Sequence, residues 1–352
     1  MFKRIVSEAN FYAAYRKTQT ASPKFKAAAI RFAANETENL ERLRREVASG
    51  HYTPEDYEEF VVFEPKERVI YAPRYRDKIV QHAINETLRD FYEPKFIHDS
   101  YACIRNKGNH KAVRQVQRHM RSASRHYADP WIIKADVQKF FYSINHDVVK
   151  GIIRKKITCA KTLALLDKII DSSPNDIGLP LGNLTSQLLA NVLMNEIDQH
   201  IKRRLGVRHY VRYADDLIMI VDGKAHAGDV LAAVRAFGRD VIRLTFPDRK
   251  CFIRPLRPQQ GVEALGYRIT PARITLTSKA KSRIIKRLGA FDRLLYAARL
   301  TPGEALQSLN SWYSYAQLAE CERFIAHACQ RTRYIYFVNQ RFHVRPPCYA
   351  TI

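Results

Sequence analysis

Nowhere does this chain of 352 residues offer about 18 consecutive apolar side chains, the length a helix needs to cross a bilayer. Its start, Met1-Phe-Lys-Arg-Ile-Val-Ser-Glu8, lacks the extended apolar core of a secretory leader. Both absences point to a soluble, cytoplasmic protein with no membrane partner. Cysteine is sparse, and Cys103, Cys159, Cys251, Cys321, Cys329 and Cys348 form no Cys-x-x-Cys pair, which fits reduced, separately packed thiols better than disulfides or zinc. Repeats and low-complexity tracts are missing too, so the chain reads as one continuous folded polypeptide. Acid is in deficit: 35 Asp and Glu face 59 Lys and Arg, a formal charge of +24 that calls for a polyanionic partner, most simply nucleic acid. With 46% apolar residues, a chain of this length can bury a core and divide into two or three subdomains.

The apolar spacing predicts long helices over Lys24–Ser49, ended by Gly50, and over Lys78–Phe91. Trp131–Asp136 reads as a buried strand ending in a carboxylate, followed by a helix over His146–Ile157. A Gly-Leu-Pro-Leu-Gly loop precedes a helix predicted over Asn183–Leu205, then come a helix over Val230–Ile242 and a strand over Val262–Ile269. Beyond Thr275 the pattern is helical, and residues 273–352 hold 13 Lys or Arg against 4 Asp or Glu. That region reads as a basic helical module gripping a duplex.

Between the last two of those helices lies His209-Tyr-Val-Arg-Tyr-Ala-Asp-Asp-Leu-Ile-Met-Ile-Val221, which sets Asp215 and Asp216 between two apolar runs, the pattern of a tight hairpin with acid at its tip. Aspartate disfavours strands and adjacent carboxylates repel, so a cation is expected there, although an exposed turn with two solvated acids has the same local pattern. Two-metal nucleotidyl transfer needs ligands from more than one strand, and Asp136 supplies a third carboxylate with the Val137 carbonyl as a further hard oxygen. Mg²⁺ prefers such donors. Taken alone, Asp136 also fits the N-cap of a following helix.

These blocks, in this order, resemble a reverse transcriptase of the bacterial and group II intron-like type. Asp136 stands in motif A and Tyr213-Ala-Asp-Asp216 in motif C. Arg74-Tyr-Arg-Asp-Lys-Ile-Val-Gln81 resembles the fingers block, and Ser100-Tyr-Ala-Cys-Ile-Arg-Asn-Lys-Gly108 the second block. Gly178-Leu-Pro-Leu-Gly-Asn-Leu-Thr-Ser-Gln187 is similar to motif B, Phe246-Pro-Asp-Arg-Lys250 to motif D, and Ala264-Leu-Gly-Tyr-Arg-Ile269 to motif E. The resemblance implies an α+β right-hand polymerase: an N-terminal extension and fingers with part of the palm over 1–130, a palm with a small antiparallel sheet and the Asp-Asp hairpin over 131–270, and a helical thumb over 271–352. It implies RNA-directed DNA synthesis with two Mg²⁺ ions, Mn²⁺ being able to substitute, and template RNA, primer or cDNA, and dNTPs as partners. Asp136 and Asp215 would bind the metals most directly, with Asp216 setting geometry.

The resemblance also implies that Phe141 blocks a ribose 2′-hydroxyl, and that Lys250 protonates the leaving pyrophosphate. Phe140 and Phe141 fit a plain core equally well, and Arg249 leaves the lysine's placement open by one residue. Arg105 and Lys107 can clamp the β- and γ-phosphates or be solvated loop charge. Gly182 permits close backbone approach to the incoming base or template, while Asn183 or Ser186 can cap a helix or contact nucleotides. Where the commoner family pattern has Gln before this Gly and Ser-Pro after it, this chain has Leu181 and Ser186-Gln187. That form resembles the reverse transcriptases of diversity-generating retroelements, implying relaxed copying of template adenines and a basic accessory protein.

Lys279, Arg283, Lys286 and Arg287 recur at near-helical spacing suited to template-primer phosphates, with a solvated helix face as the plainer alternative. The aromatics of Ser311-Trp-Tyr-Ser-Tyr-Ala316 read as core. No His-Asn-His cluster, zinc-binding cysteines or further acid-rich domain is evident, so endonuclease, DNA-binding maturase and RNase H modules are expected to be absent. Two other readings stay open: a defence-associated or other stand-alone bacterial reverse transcriptase, and a catalytically silent RNA-binding protein on a polymerase scaffold.

Overall fold

The computed structural model describes residues 1–19, 27–63 and 67–330. In chain order the N-terminal helices are α1 (Phe2–Ile5), α2 (Glu8–Gln19), α3 (Ala27–Ala34) and α4 (Glu36–Ser49). The single helix expected over 24–49 is therefore two. Asn35 leaves helical geometry at φ −130° to become the N-cap of α4, and Lys24–Lys26 lie outside the described residues. Gly50 ends α4 in the left-handed region, as its position after the last apolar repeat predicts. The hairpin β1 (Glu58–Val62) and β2 (Arg68–Ala72) follows, then α5 (Tyr75–Tyr92), α6 (Asn109–His126), β3 (Pro130–Asp136), α7 (Phe140–Ser143), α8 (His146–Arg154) and α9 (Ala160–Asp171). Next come α10 (Leu184–Gln199), which runs into a wider turn over His200–Arg204, and the hairpin β4 (His209–Tyr213) and β5 (Asp216–Asp222).

The chain continues through α11 (Lys224–Asp240), β6 (Phe252–Pro255), β7 (Val262–Ala264), β8 (Tyr267–Ile269), β9 (Ile274–Leu276), α12 (Ser278–Tyr296), α13 (Pro302–Ala316) and α14 (Glu322–Gln330). The strand expected over 262–269 is a hairpin, because Leu265 and Gly266 both take positive φ, the backbone of a two-residue turn. The expected alternation of helix and strand around a small sheet holds.

The chain forms two compact units. The first comprises Met1–Gly108, Ile133–Met219 and Ala225–Ile253. In it α5 packs against α2 and α10, and α10 is buried almost all round through Leu188, Leu189, Val192, Leu193, Met194 and Ile197. Thr185, Ser186, Asn191 and Asp198 are buried along with them, so polar as well as apolar side chains of this helix sit in the core. The four-stranded sheet has the order β4-β5-β3-β6, which sets the end of β3 and the start of β5 on neighbouring strands. The second unit comprises Asn109–Ile132, Ile220–Lys224 and Arg254–Ile352, with α6 against β8 in the antiparallel sheet β7-β8-β9. Its helices share a small core of Ile284, Leu288, Phe291, Ala305 and Ala328. Tyr315 packs at a tilt against Tyr267, with ring centroids 4.7 Å apart, and Trp312 packs against that core, so these two aromatics of α13 are packing.

Candidate active site

The β4–β5 turn is held from beneath. Arg212, wholly buried on β4, donates through Nε to both carboxylate oxygens of Asp198 on α10, at 2.8 and 2.9 Å. Its Nη1 donates to Asn191 Oδ1 and to the Ala214 carbonyl, both at 3.0 Å, and Tyr210 Oη donates to Asp198 at 2.6 Å. Burial opposes the charge on Arg212, but Asp198 beside it outweighs that and raises the guanidinium pKa. Ala214, at φ +53°, is thereby fixed in a conformation that L-residues avoid. The loop before α6 is tied to the same strand, with the Arg212 N–H donating to the Asp99 carbonyl and the Tyr101 N–H to the Arg212 carbonyl.

On this support stand the acids. Asp215 occupies the turn, Asp216 opens β5, and Asp136 closes β3 on the neighbouring strand. Burial first, then the charges of Asp136 and Asp216, push Asp215 up to about 6, with Lys250 pulling the other way. Asp216 is also raised, mainly by burial, although Lys134 Nζ lies 3.3 Å from its Oδ1. Helix α7 takes Lys139 as its N-cap, so Asp136 is not spent capping it. Lys250 ends a short helical turn over Asp248–Lys250 and donates to Asp136 Oδ1 and, at 2.8 Å, to the Val137 carbonyl. Its ammonium stands in for a cation on those two oxygens. Arg249 is exposed, which settles which of the two adjacent cations faces the acids.

Among the described residues no three His, Cys, Asp or Glu side chains are gathered tightly enough to hold a metal ion, and Lys250 sits where Asp136 and Val137 would meet one. The donor chemistry fits a hard divalent cation nonetheless. The donors are all oxygen, three carboxylates face two lysines, and the buried Oδ1 of Asp216 has no well-directed hydrogen bond.

The loop before α10 packs on the chain itself. A Cβ on Gly182, at φ +115°, would lie 2.6 Å from the Tyr71 carbonyl oxygen, and the Tyr71 N–H donates to the Leu181 carbonyl at 2.7 Å. Gly182 therefore makes a close backbone approach to β2. Asn183 is the N-cap residue of α10 but its side chain does not cap. Its Oδ1 accepts from Gln81 and its Nδ2 donates to the Tyr57 hydroxyl, while Gln81 Oε1 accepts from the Leu184 N–H in its stead. Ser186 is buried. Phe140 is buried and Phe141 half-buried, their rings 5.1 Å apart, and the Phe141 carbonyl accepts from the Leu179 N–H.

Arg105 is engaged with α5, donating to Glu86 at 2.8 Å and to Asp90, and Lys107 donates to the carbonyls of His98 and Ser100 at 2.6 and 2.9 Å. Both cations hold the 100–108 loop in this structure. On α12, in the second unit, Lys279, Arg283, Lys286 and Arg287 are exposed, while Ile284, Leu288 and Phe291 are buried and the Arg287 guanidinium lies over the Phe291 ring at 5.7 Å. Sequence reasoning missed Arg212, Asp198, Lys134 and Gln81. An arginine within an apolar strand was the one signal that pointed to the first of them.

Residues 64–269, more than half of the chain, match the profile of the reverse transcriptase (RNA-dependent DNA polymerase) family, and the chain belongs to that family. The fold is accordingly the right-hand polymerase type, a mixed helix-and-sheet architecture with a small antiparallel sheet. The chain is similar to protein YkfC of Escherichia coli K12, 29% identical over 227 residues that cover 52% of this chain and 59% of that one. It is also similar to the group II intron-encoded protein LtrA of Lactococcus lactis subsp. cremoris, 25% identical over 175 residues, 47% of this chain and 28% of LtrA. A putative COX1/OXI3 intron 2 protein of Saccharomyces cerevisiae is 22% identical over 298 residues, 66% of this chain and 34% of its own length. The chain therefore spans between about a quarter and three fifths of these relatives. Among solved structures, telomerase of Candida albicans with a fragment of telomeric RNA overlaps 89% of this chain and 60% of its own at a TM-score of 0.48 and 10% identity. No helix among the described residues is long and apolar enough to cross a membrane.

Proposed function

We propose that this chain is an RNA-directed DNA polymerase that makes cDNA on an RNA template. The single observation that carries the reading is the half-buried Asp215-Asp216 turn beside the Asp136 end of the neighbouring strand, with a lysine ammonium on the oxygens of Asp136 and Val137. In this reading 1–130 form the N-terminal extension and fingers with part of the palm, 131–270 the palm and 271–352 the thumb. Asp136, Asp215, Asp216 and the Val137 carbonyl would hold two Mg²⁺ ions, or Mn²⁺, whose charge activates the primer 3′-hydroxyl and neutralises the leaving pyrophosphate. The primer hydroxyl gives up its proton to solvent and its oxygen bonds to the α-phosphorus of a dNTP as the bond to pyrophosphate breaks. Lys250, once off Asp136, is the proton donor to that leaving group. Phe141 excludes a 2′-hydroxyl, while Arg105 and Lys107 reach the triphosphate by giving up their present acceptors. Lys279, Arg283, Lys286 and Arg287 hold template-primer phosphates.

The subclass is a diversity-generating retroelement enzyme that misreads template adenines. Its support is Leu181, whose apolar side chain cannot supply a polar group to police base-pair geometry. A basic accessory protein would meet the patch of Glu55, Asp56, Glu59 and Asp171 around a cavity of about 510 Å³ that Lys168 also lines, once it competes with Lys150 and Arg76 for Asp171 and Glu55.

Primer extension on a defined RNA tests the enzyme reading. Asp215→Asn should slow extension at least about 10³-fold, since metal-held charge supplies several kcal/mol to such transfers. Equal rates for both proteins would reject the carboxylate assignment. Sequencing the product tests the subclass, and an adenine error rate no higher than at other bases would reject it.

A further inference from the structure

We propose that the exposed face of α6 is a phosphate-binding track for RNA, in addition to the carboxylate cluster and α12. The choice of RNA among polyanions rests on the reading that this chain copies RNA. Helix α6 contains no Asp or Glu in its 18 residues. Its inner face is Ala112, Val113, Val116, Met120 and Ala123, all buried. Its outer face carries Lys111, Arg114, Arg118, Arg121 and Arg125, all exposed and separated by three, four, three and four residues. That spacing keeps them in one line about 21 Å long, at about 1.5 Å per residue.

Like charges at these separations repel and weaken a helix. Elsewhere this protein neutralises some of its helix arginines: Arg44 with Glu41, Arg89 with Glu93, Arg154 with Asp167 and Arg235 with Asp248. On α6 it does not. Among the described residues Arg114, Arg118, Arg121 and Arg125 have no carboxylate partner. Arg118 donates to the neutral Gln115 side chain at 3.1 Å, and Arg121 to the carbonyls of Pro271 and Ala272 at 2.7 and 3.2 Å. The chain thus retains a repulsion that an external polyanion relieves. A lipid surface fits worse, because the apolar side chains of α6 are buried and its exposed face has none to insert. Guanidinium forks in a row match successive phosphates.

The test is the affinity of a fluorescently labelled structured RNA for the full chain, by anisotropy across a salt series. The proteins compared are the wild type, R114Q/R118Q/R125Q and the three single variants. Arg121 is kept because it holds the turn at Pro271. The triple variant should bind at least about tenfold more weakly. The slope of log K against log salt should shrink by roughly 2 to 3 units, each single variant removing about 0.7–0.9. Circular dichroism of the triple variant should match the wild type. If the triple variant does not fold, the single-variant slopes decide alone. Unchanged slopes, a loss confined to duplex DNA, or a loss confined to anionic phospholipid vesicles would each overturn the track. Wild-type protein that binds RNA through this face but extends no primer would sink the polymerase reading and leave the track standing.

Discussion

Two acid sites meet the β4–β5 hairpin, Asp198 of α10 through Arg212 on β4 and Asp136 of β3 beside the Asp215-Asp216 turn, and they are built on opposite principles. Asp198 is fully buried and fully answered, by the Arg212 guanidinium on both oxygens and by the Tyr210 hydroxyl. Asp136, Asp215 and Asp216 are only half-buried, yet three carboxylates share two lysines and Asp215 is pushed up to about 6. The first site spends its charge holding the Ala214 carbonyl and the turn. The second keeps charge uncompensated where a cation can reach it. Burial alone therefore does not mark function in this molecule. The imbalance between acids and their partners does, and the balanced site beneath makes that imbalance sustainable.

The largest expected effect comes from upsetting the balanced site. Asp198→Asn keeps the side chain's shape but leaves the Arg212 charge buried without its counter-charge, which typically costs about 3–5 kcal/mol. Urea unfolding should show that loss. The double variant D198L/R212M, which removes both charges, should recover most of it. A cost below about 1 kcal/mol for the single variant would mean that the pair is not what holds the hairpin.

The imbalanced site should respond with the opposite sign. A carboxylic acid whose folded pKa is raised from 3.8 to about 6 is held protonated more tightly by the folded chain. Its contribution to stability is fully present below about pH 4 and is lost as pH rises through about 6, leaving a constant penalty above that. Two pKa units correspond to about 3 kcal/mol as an upper bound. Asp215→Asn should therefore raise stability at neutral pH by up to about 3 kcal/mol and flatten the pH dependence between about 4 and 6, measured by thermal unfolding. A variant less stable than the wild type would show that the acid is balanced after all.

The contrast between the sites also separates what the sequence made legible from what it concealed. Asp215 and Asp216 stand out because aspartates interrupt two apolar runs, and Asp136 because it ends a third. Asp198 lies on a helix that reads as ordinary amphipathic chain, and its partner is 14 residues away on a strand, so only tertiary structure joins them. The same limit hid the Gln81 side chain, which reaches 103 residues along the chain to cap α10. Local conformation failed in a different way. The Leu265-Gly266 turn places a leucine at positive φ, which leucine rarely adopts, so the β7–β8 hairpin reads as one strand. Hairpin β1–β2 was overlooked because β1 is exposed over four of its five residues and shows no alternation of apolar and polar positions.

The smallest expected effect tests whether the cations at the imbalanced site answer its charge or only visit it. Lys250 is about a third exposed, so its contact with Asp136 is screened and worth far less than the Asp198–Arg212 pair. Lys250→Gln should destabilise the fold at neutral pH by about 1 kcal/mol or less, while Asp215, relieved of a charge that lowers its pKa, titrates still higher. The part of the cost felt through Asp215 should fade as pH drops through about 6, where that acid takes up its proton. Millimolar Mg²⁺ should then raise the melting temperature of Lys250→Gln more than that of the wild type, because the metal need not displace an ammonium from Asp136 and Val137. Equal Mg²⁺ shifts in the two proteins would show that Lys250 and the metal do not share those oxygens, and would place the uncompensated charge on Asp215 and Asp216 alone.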